Sequence, residues 1–452
     1  MVINGFIMIY PFKIFNKNFT IKNIKKTFND SIKNRPSLGV DGINIKSFEK
    51  KLDDEFNLIN RKVMDNTYNF SFYKEKLISK GRDKYPRVIS IPTIRDKIVL
   101  KCMFNTLNTI YKDDLSNELI HTKIEKIKTS IYSNKYDSYI KIDIKNFYPS
   151  INHKILKRFI IKKTRKKQFI NLLNNAIQQD TVRKSNKNIN RYTNKIGVPQ
   201  GLSISNILAS IYFIDFDEIH YHKINYDYYR YVDDILILCK EDDIDSIFKS
   251  IEKDMNDLKL DIHELGIDSQ KTAKGSLSKE FFFLGYRYNN NLISVRKSSI
   301  NNLHNSIINI LTQHKHSKDS NIELLYWKLN LKITGCKFEG KKYGWMYFFS
   351  QINDEKLLFK LDYFIKSIFN KFNIKYEKNK VKKFIRTYYE ILKNRTNTTY
   401  IPDFSNYTKK QKKDLLINIF NFKDLKDSQI EYQFSKLIYK SIKEMEKDIQ
   451  MY

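Results

Sequence analysis

The spacing of apolar side chains changes along the chain and divides it into two regions. Between about residues 20 and 297, stretches with apolar residues three or four positions apart alternate with stretches in which every second residue is apolar. After Lys297 the helical spacing is almost continuous to the end. The pattern predicts an α+β region followed by an all-α C-terminal extension.

The same spacing, together with turn residues, predicts the individual elements. Helices are expected at 20–62 with a break at 35–42, and at 93–111, 155–179, 203–216 and 242–260. Strands are expected at 69–92, where a ribbon turns at 81–83, at 139–143, in a hairpin at 228–239, and in a hairpin at 281–295 that turns at 289–291.

Composition adds a formal net charge of +32. A charge of this size favours a polyanionic partner such as nucleic acid. A genome rich in A and T, which inflates Lys, Asn and Ile, explains much of the same excess, so the charge alone does not decide between the two.

Cysteine and histidine usage predicts neither a zinc site nor a disulfide framework. The three cysteines lie far apart without paired spacing, which fits a reducing cytoplasm. His220 and His222 are the closest histidine pair, and we expect both at the surface. The apolar run at 2–10 is too short to span a membrane, so we predict a cytoplasmic protein that does not bind membranes.

Three segments carry candidate chemistry. The strand at 139–143 ends in Asp143, and an aromatic pair that includes Tyr148 follows. The segment 197–203 is a kinked loop that leads into a helix. Asp233 and Asp234 are adjacent acids at the turn of the predicted hairpin.

Adjacent carboxylates at a tight turn repel each other unless a divalent cation compensates. Mg²⁺ prefers oxygen ligands, and sites with two metals draw carboxylates from more than one segment. Asp143 is the natural third ligand to join Asp233 and Asp234. Each feature alone has an ordinary alternative, a solvated turn for the adjacent pair and a helix N-cap or surface acid for Asp143. Their combination in this order favours a metal site.

Together these segments resemble the reverse transcriptases. Residues 231–234 (Tyr-Val-Asp-Asp) resemble the YxDD signature, 143–148 resemble the first catalytic motif, and 197–201 resemble the PQG loop. The resemblance covers roughly 35–297 and implies a right-hand polymerase with fingers, palm and thumb. It implies an N-terminal segment at 1–34, fingers at 35–138, a palm at 139–297 with a finger insertion at about 155–195, a thumb at 298–350 and a helical extension at 351–452.

The resemblance also implies a role for individual residues. Asp143 and Asp233 would bind two Mg²⁺ ions, with Asp234 as an assisting carboxylate. Tyr148 would exclude a ribose 2′-hydroxyl, which makes deoxynucleoside triphosphates (dNTPs) the substrates, RNA the template and DNA the product. An ordinary core aromatic is the alternative for Tyr148, and a solvated lysine is the alternative for Lys80. The other implied roles are triphosphate contacts for Lys80 and Arg87, the nucleotide and template pocket for Gln200, protonation of pyrophosphate by Lys271, and a primer grip at Phe283, Leu284 and Gly285.

Within the family, 35–48 and 87–96 resemble the bacterial branch that is similar to group II introns. A Cys/His endonuclease module, an RNase H acid set and the Asn-Ala-x-x-His hallmark of retron enzymes are not recognisable in the sequence. The remaining resemblance is to unclassified bacterial reverse transcriptases of phage defence and abortive infection. It implies antiviral defence with a non-coding RNA template, and a homo-oligomer or a companion defence protein as partner.

Two other functions stay open at this point. The same palm could perform untemplated or protein-primed DNA synthesis, with a Tyr or Ser hydroxyl as primer. Alternatively, the chain could be a non-catalytic, basic RNA-binding scaffold.

Two segments outside the motifs each have two interpretations. The segment 157–167 has seven basic residues and is either a solvated helix face or a surface that follows phosphates. The segment 320–452 is rich in Tyr, Phe and Lys, which suits stacking on single-stranded nucleic acid. A packed helical domain or an oligomer contact explains it equally, and we favour that interpretation.

Overall fold

The computed structural model describes residues 11–34, 37–79, 85–116, 118–183, 195–266, 271–317, 321–394, 398–423 and 425–449. Within these ranges, no helix is both long and apolar enough to cross a bilayer.

Helices make up most of the described backbone. The α-helices are α1 Pro11–Asn18, α2 Ile21–Thr27, α3 Ile45–Glu49, α4 Leu52–Met64, α5 Ile94–Ile110, α6 Ile120–Tyr132, α7 Phe147–Ser150, α8 His153–Lys163, α9 Lys167–Gln178, α10 Ser205–Tyr212, α11 Ile214–Tyr221, α12 Ile244–Asp257, α13 Lys297–Lys315, α14 Ile322–Thr334, α15 Trp345–Phe348, α16 Glu355–Lys371, α17 Phe384–Lys393, α18 Lys409–Asp414 and α19 Ile430–Met445. Short π-helical segments continue α2 and α18, at Phe28–Ile32 and Leu415–Ile419.

The strands form small sheets. They are β1 Tyr73–Ile78, β2 Arg87–Ile91, β3 Ser138–Asp143, β4 Thr181–Val182, β5 Tyr226–Tyr231, β6 Asp234–Cys239, β7 Ala273–Ser276, β8 Phe281–Phe283, β9 Tyr286–Asn289, β10 Leu292–Val295, β11 Cys336–Phe338 and β12 Lys341–Tyr343. The sheet orders are β2-β1-β4, β5-β6-β3-β7, β10-β9-β8 and β11-β12. The α+β class predicted from the sequence is confirmed.

Contacts divide the chain into two compact units. The first consists of Met1–Asn117, Lys141–Ile235 and Asp242–Ala273, and the second of Glu118–Ile140, Leu236–Glu241 and Lys274–Tyr452. In the first unit, β1 pairs antiparallel with β2 and parallel with β4. Its helix α5 begins where Thr93 Oγ1 accepts the N–H of Asp96, and it is buried along most of its length.

The second unit combines the β8-β9-β10 meander with the helices that follow it. The predicted hairpin at 281–295 turns at Asn290 and Asn291, as expected, and β8 extends it to three strands. A core cluster that includes Leu331, Phe404 and Phe434 packs α14 against α19. The described part of the extension at 351–452 is helical, as predicted.

The prediction of almost continuous helix after Lys297 is wrong at β11 and β12. Their turn, Glu339 and Gly340, has positive φ angles of 49° and 72°. A Cβ on Gly335 would lie 2.1 Å from the carbonyl oxygen of Tyr343, so glycine permits the close approach where α14 meets this hairpin. Strands of three residues are too short to give a period-two pattern, which is why the sequence did not reveal them.

Two further predictions need correction. The predicted helix at 203–216 is two helices, α10 and α11, separated at Phe213. His220, expected at the surface, is fully buried. Its Nδ1 lies 2.6 Å from the Tyr226 hydroxyl and its Nε2 lies 3.1 Å from a carboxylate oxygen of Asp254. These polar partners permit the burial.

Candidate active site

The hairpin of β5 and β6 carries the two adjacent acids. Because β5 ends at Tyr231 and β6 begins at Asp234, Val232 and Asp233 form the turn. Val232 has a φ of 57°, a left-handed conformation that is strained for a β-branched residue. Strain of this kind persists where neighbouring contacts enforce it, and it is common at functional sites. The predicted hairpin is confirmed, with Asp233 in its turn and Asp234 as the first residue of β6.

Asp143 is the last residue of β3, which neighbours β6 in the sheet. Its backbone N–H donates to Thr272 Oγ1 at 3.3 Å, and its carbonyl oxygen accepts the N–H of His263 at 3.0 Å. These two hydrogen bonds fix the end of β3, from which the carboxylate projects.

The three acids lie within electrostatic reach of one another. Burial, together with the charges of Asp233 and Asp143, raises the pKa of Asp234 to about 7, although Lys141 opposes the shift. Burial also raises the pKa of Asp233, and the charge of Asp143 adds to that effect. The charges of Asp143 and Asp233 therefore both act on Asp234, so the three acids that the sequence singled out influence one another.

Such a set of carboxylates suits a divalent cation, because the cation removes their mutual repulsion. The atoms that these three side chains would provide as metal ligands are all carboxylate oxygens, the ligand type that Mg²⁺ prefers. Over the part of the chain that the structure describes, no three His, Cys, Asp or Glu side chains form a ready-made metal site. Mg²⁺ commonly uses only one or two carboxylates together with water and substrate phosphates. The acids fit an open site of that kind.

Arg230, which sequence reasoning missed, supports the strained turn. Its Nη1 donates to the Val232 carbonyl oxygen at 2.9 Å. Its Nε donates to Asp217 Oδ1 at 2.7 Å, and its Nη2 donates to the other oxygen of that carboxylate. The Arg230 side chain is only 10% exposed, and its guanidinium carbon lies 4.5 Å from the ring centroid of Phe213. The bidentate ion pair between Arg230 and Asp217 holds the guanidinium in one orientation, so Arg230 fixes the peptide that precedes Asp233.

A second unpredicted residue, His263, connects Lys271 to Asp143. Lys271 Nζ lies 2.8 Å from His263 Nε2, and that ring nitrogen lies 3.6 Å from Asp143 Oδ2. The lysine that the sequence assigned to pyrophosphate is therefore only one side chain away from the acid at the end of β3. His263 stands alone in the sequence without motif spacing, so no local signal marked it.

Tyr148 and Arg87 both lie in the electrostatic field of Asp233. Tyr148 belongs to α7, and its hydroxyl donates to Asn206 Oδ1 of α10 at 2.7 Å. Burial and the charge of Asp233 raise the pKa of Tyr148 to about 12, and Arg87 partly opposes this. Arg87 begins β2, is exposed, and lowers the pKa of Asp233 against the effect of burial. Two predicted nucleotide contacts are thus near the acids.

The loop at 197–203 packs against β2. The N–H of Ser90 donates to the Gln200 carbonyl oxygen at 2.7 Å. Gly201 has a φ of 100°, and a Cβ there would lie 2.7 Å from Ile89 Cγ2 and 3.1 Å from the Ser90 carbonyl oxygen. Only glycine fits this approach. The loop therefore holds the half-buried Gln200 next to the strand that begins at Arg87.

The remaining predicted site residues are Lys80 and the primer grip. Lys80 lies outside the described residues. Phe283, Leu284 and Gly285 belong to the second unit, where Leu284 and Gly285 form a two-residue turn between β8 and β9. Their φ angles of 48° and 79° are typical of a type I′ hairpin turn. The Gly285 carbonyl oxygen accepts the N–H of Arg296 at 3.0 Å, so the turn is well fixed.

Comparison with known proteins agrees with this geometry. Residues 78–288 match the family described as "Reverse transcriptase (RNA-dependent DNA polymerase)". The chain is 27% identical over 201 residues to the COX1/OXI3 intron 2 protein of Saccharomyces cerevisiae, covering 43% of this chain and 22% of that protein. It is 24% identical over 191 residues to protein YkfC of Escherichia coli, covering 40% of this chain and 49% of that protein.

Among solved structures, apo telomerase from Candida tropicalis aligns with a TM-score of 0.41 and 16% identity, covering 84% of this chain and 62% of that one. The chain spans less than half the length of both curated relatives. Residues 78–288 thus carry a reverse transcriptase domain. The match to this family is consistent with the right-hand polymerase class predicted from the sequence.

Proposed function

We propose that the chain is an RNA-directed DNA polymerase that adds deoxynucleotides to a primer with two Mg²⁺ ions. One observation carries this proposal. Asp143 is remote in sequence from the adjacent pair Asp233 and Asp234, yet its charge acts on both of them, and all three lie inside the residues that match the reverse transcriptase family. Reverse transcriptase domains generally use divalent metals, and this acid set is suited to them.

In this proposal Asp143 and Asp233 hold the metals, and Asp234 assists. When bound, the metals lower the barrier by neutralising charge on the attacking hydroxyl, the triphosphate and the pyrophosphate. Arg87 contacts the triphosphate, for which a guanidinium is well shaped. Tyr148, held by Asn206, blocks a ribose 2′-hydroxyl. Gln200 lines the nucleotide and template pocket.

Further assignments extend the same proposal. Lys80 joins Arg87 on the triphosphate, and Lys271 protonates the pyrophosphate. Phe283, Leu284 and Gly285 form the primer grip, which the tight turn between β8 and β9 supports. Fingers at 35–138, palm at 139–297, thumb at 298–350 and the helical extension at 351–452 are the corresponding domains.

The biological role follows from the family branch. The matches to an intron protein and to YkfC support the branch that is similar to group II introns. Within it, we assign the chain to the cytoplasmic enzymes of phage defence. A non-coding RNA is then the template, and a second copy or a companion defence protein is the partner. This assignment rests on the sequence resemblance described above.

Incorporation of labelled dNTPs on an RNA template with a DNA primer tests the polymerase assignment. The variant Asp143→Asn/Asp233→Asn should lose activity by a factor of roughly 100 or more, because charge stabilisation is removed where charge develops. Asp53→Asn/Asp54→Asn is the matched control, since both acids are exposed on α4. Equal incorporation by the first variant and the wild type contradicts the proposal.

The same assay separates the other functions considered for this chain. Synthesis that persists without RNA indicates an untemplated enzyme. Labelled DNA that stays with the denatured protein until proteolysis indicates a protein hydroxyl as primer. Wild-type protein that binds RNA tightly but incorporates nothing, with either Mg²⁺ or Mn²⁺, indicates a binding scaffold.

A further inference from the structure

Helix α16 exposes two aromatic rings on one face. Phe359 is 58% exposed and Tyr363 is 73% exposed, and a spacing of four residues places them on the same side of the helix. The opposite side packs into the second unit through the buried residues Leu358, Leu361 and Ile365. The orientation of α16 is therefore fixed by its core side, and the two rings are held in solvent.

Lysines surround the two rings. Lys356, Lys360 and Lys366 are all exposed on α16, and they lie three or four positions from a ring or next to one. None of these three lysines forms an ion pair with the described residues. The face thus combines apolar ring surfaces with positive charge that the fold itself leaves available.

The acids of the same helix are already engaged. Glu355 Oε1 accepts the hydroxyl of Tyr389 at 2.6 Å. Asp362 accepts the N–H groups of Phe384 and Ile385, at 2.6 and 3.4 Å, at the start of α17. Both carboxylates are therefore hydrogen-bonded within the fold and do not pair with the exposed lysines. Their negative charges lower the net charge of the face but leave its lysines free of an acidic partner on this helix.

Helix α17 extends the surface. The bond between Tyr389 and Glu355 ties α17 to the start of α16, and Tyr389 is itself 36% exposed. Lys393 Nζ lies 5.3 Å from the centroid of the Tyr389 ring. Helix α17 thus adds a third exposed aromatic ring, with a lysine beside it, to the rings and lysines of α16.

We propose that the face formed by Phe359, Tyr363 and Tyr389 with Lys356, Lys360 and Lys366 binds single-stranded nucleic acid. Unpaired bases stack on the rings and the lysines neutralise the phosphates, the combination typical of binding to single strands without sequence preference. Four residues of helix rise about 6 Å, so Phe359 and Tyr363 can each accept a separate base. The inference goes beyond the proposed polymerase activity and does not depend on it.

Charge and geometry favour this occupant over two others. A symmetric contact with a second copy would place each lysine cluster against its own image, which is unfavourable. A duplex keeps its bases stacked inside and offers the rings only phosphate and sugar, so it leaves the aromatic surface unused.

Photo-crosslinking and affinity measurements on the full chain test the proposal. A labelled oligothymidine that contains iodouracil should crosslink to the α16 peptide with Phe359 or Tyr363. Phe359→Ala/Tyr363→Ala should weaken binding of the oligothymidine about tenfold or more, measured by fluorescence anisotropy. Tyr432→Ala is the control, because Tyr432 is 52% exposed on another helix, α19. It should bind as the wild type does.

Salt dependence provides a second readout. Lys356→Gln/Lys360→Gln/Lys366→Gln should reduce the slope of log affinity against log salt by about two, at about 0.7 per lost phosphate contact. Unchanged affinity in the aromatic variant, with no crosslink on α16, overturns the proposal. The proposal is also overturned if an RNA–DNA duplex competes with the labelled oligothymidine as strongly as an unlabelled single strand does. A third outcome would show instead that a second copy of the chain covers this face. In that case the wild type self-associates, Phe359→Ala/Tyr363→Ala is monomeric, and the affinity of this variant for the oligothymidine is unchanged.

Discussion

The hydroxyl of Tyr148 donates a hydrogen bond to Asn206 Oδ1 at 2.7 Å, which joins α7 to α10. Tyr148 is the residue assigned to exclude a ribose 2′-hydroxyl, and Asn206 comes from the helix that follows the loop at 197–203. The ring that would contact the sugar is therefore held at both ends, by its backbone in α7 and by this bond. Asn206 acts on the sugar only through Tyr148.

Asn206→Ala should relax discrimination against ribonucleotides without abolishing synthesis, because the Tyr148 ring gains freedom but remains present. Tyr148→Ala should relax it further, by a factor of about 10–100. The measurement is the ratio of kcat/KM for a dNTP to that for the matching ribonucleotide. Asn206→Asp retains an acceptor oxygen and serves as the conservative control. A ratio that falls in Tyr148→Ala but not in Asn206→Ala would show that Asn206 does not position the ring.

Repulsion among the acids predicts that removing one of their charges stabilises the protein without metal, whereas added metal stabilises only a protein that keeps the metal-binding acids. Asp234→Asn should raise the melting temperature in EDTA, since burial and the neighbouring acids raise the pKa of Asp234 to about 7. In Mg²⁺ the wild type should gain stability, by about 2.7 kcal/mol at a metal concentration 100 times Kd, and Asp143→Asn/Asp233→Asn should gain little. Thermal unfolding with each variant provides the test. An equal gain in the double variant would place the metal elsewhere.

The sequence predicted the parts of the site that have local signatures. The hairpin acids, the strand ending in Asp143 and the glycine loop are each defined by a few consecutive residues. Asn206, Arg230 and His263 were missed because their contacts form only in the folded chain and no short motif marks them: Tyr148 lies 58 positions from Asn206, and Asp217 lies 13 positions from Arg230. His220 was misplaced for the same reason, since Asp254 and Tyr226 permit its burial only after folding.

The close approach of the loop at 197–203 to β2 predicts that adding one methyl group at Gly201 destabilises the protein. Gly201→Ala would place a Cβ 2.7 Å from Ile89 Cγ2 and requires a left-handed conformation at φ 100°. We expect a loss of about 2–3 kcal/mol of unfolding free energy, from strain and overpacking together, and lower polymerase activity. Gly266→Ala is the control, with a φ of 86° and nothing within 4 Å of the added Cβ. It should lose only about 1 kcal/mol. Equal losses would show that the contact with β2 is unimportant.

Buried His220 predicts a loss of stability in mild acid. Burial lowers its pKa below the ordinary value of 6.5, although Asp254 opposes the shift and Lys223 adds to it. The unfolded chain therefore takes up a proton at a higher pH than the folded chain does. Stability from neutral His220 is complete above about pH 6.5 and is lost as the pH falls through that value, by at most about 1.4 kcal/mol per pH unit.

Urea unfolding at several pH values measures this contribution. His220→Gln should be less stable at neutral pH and should lose part of the dependence on pH between about 5 and 7. His222→Gln is the matched control, because His222 is exposed two positions further along the chain. If His222→Gln removed as much of the pH dependence as His220→Gln, the effect would belong to the general charge of the protein and not to the buried ring.

The pair of Arg230 and Asp217 predicts a coupling between stability and catalysis. Arg230 is 10% exposed and Asp217 is 33% exposed, so breaking the pair leaves a charge only partly solvated. Arg230→Met should cost about 2–3 kcal/mol of unfolding free energy, toward the lower end for a buried pair because water reaches Asp217. It should also lower kcat, since the hydrogen bond to the strained Val232 peptide before Asp233 is lost.

A double-mutant cycle separates the two effects of this pair. Asp217→Asn/Arg230→Met should recover part of the stability, because no unpaired charge remains, but should not recover kcat, because the Val232 carbonyl oxygen still lacks its donor. Asp217→Asn alone retains that donor and should reduce kcat less than Arg230→Met. The checks are urea unfolding and single-turnover incorporation on the same proteins. Recovery of kcat together with stability in the double variant would show that Arg230 acts only as a structural ion pair.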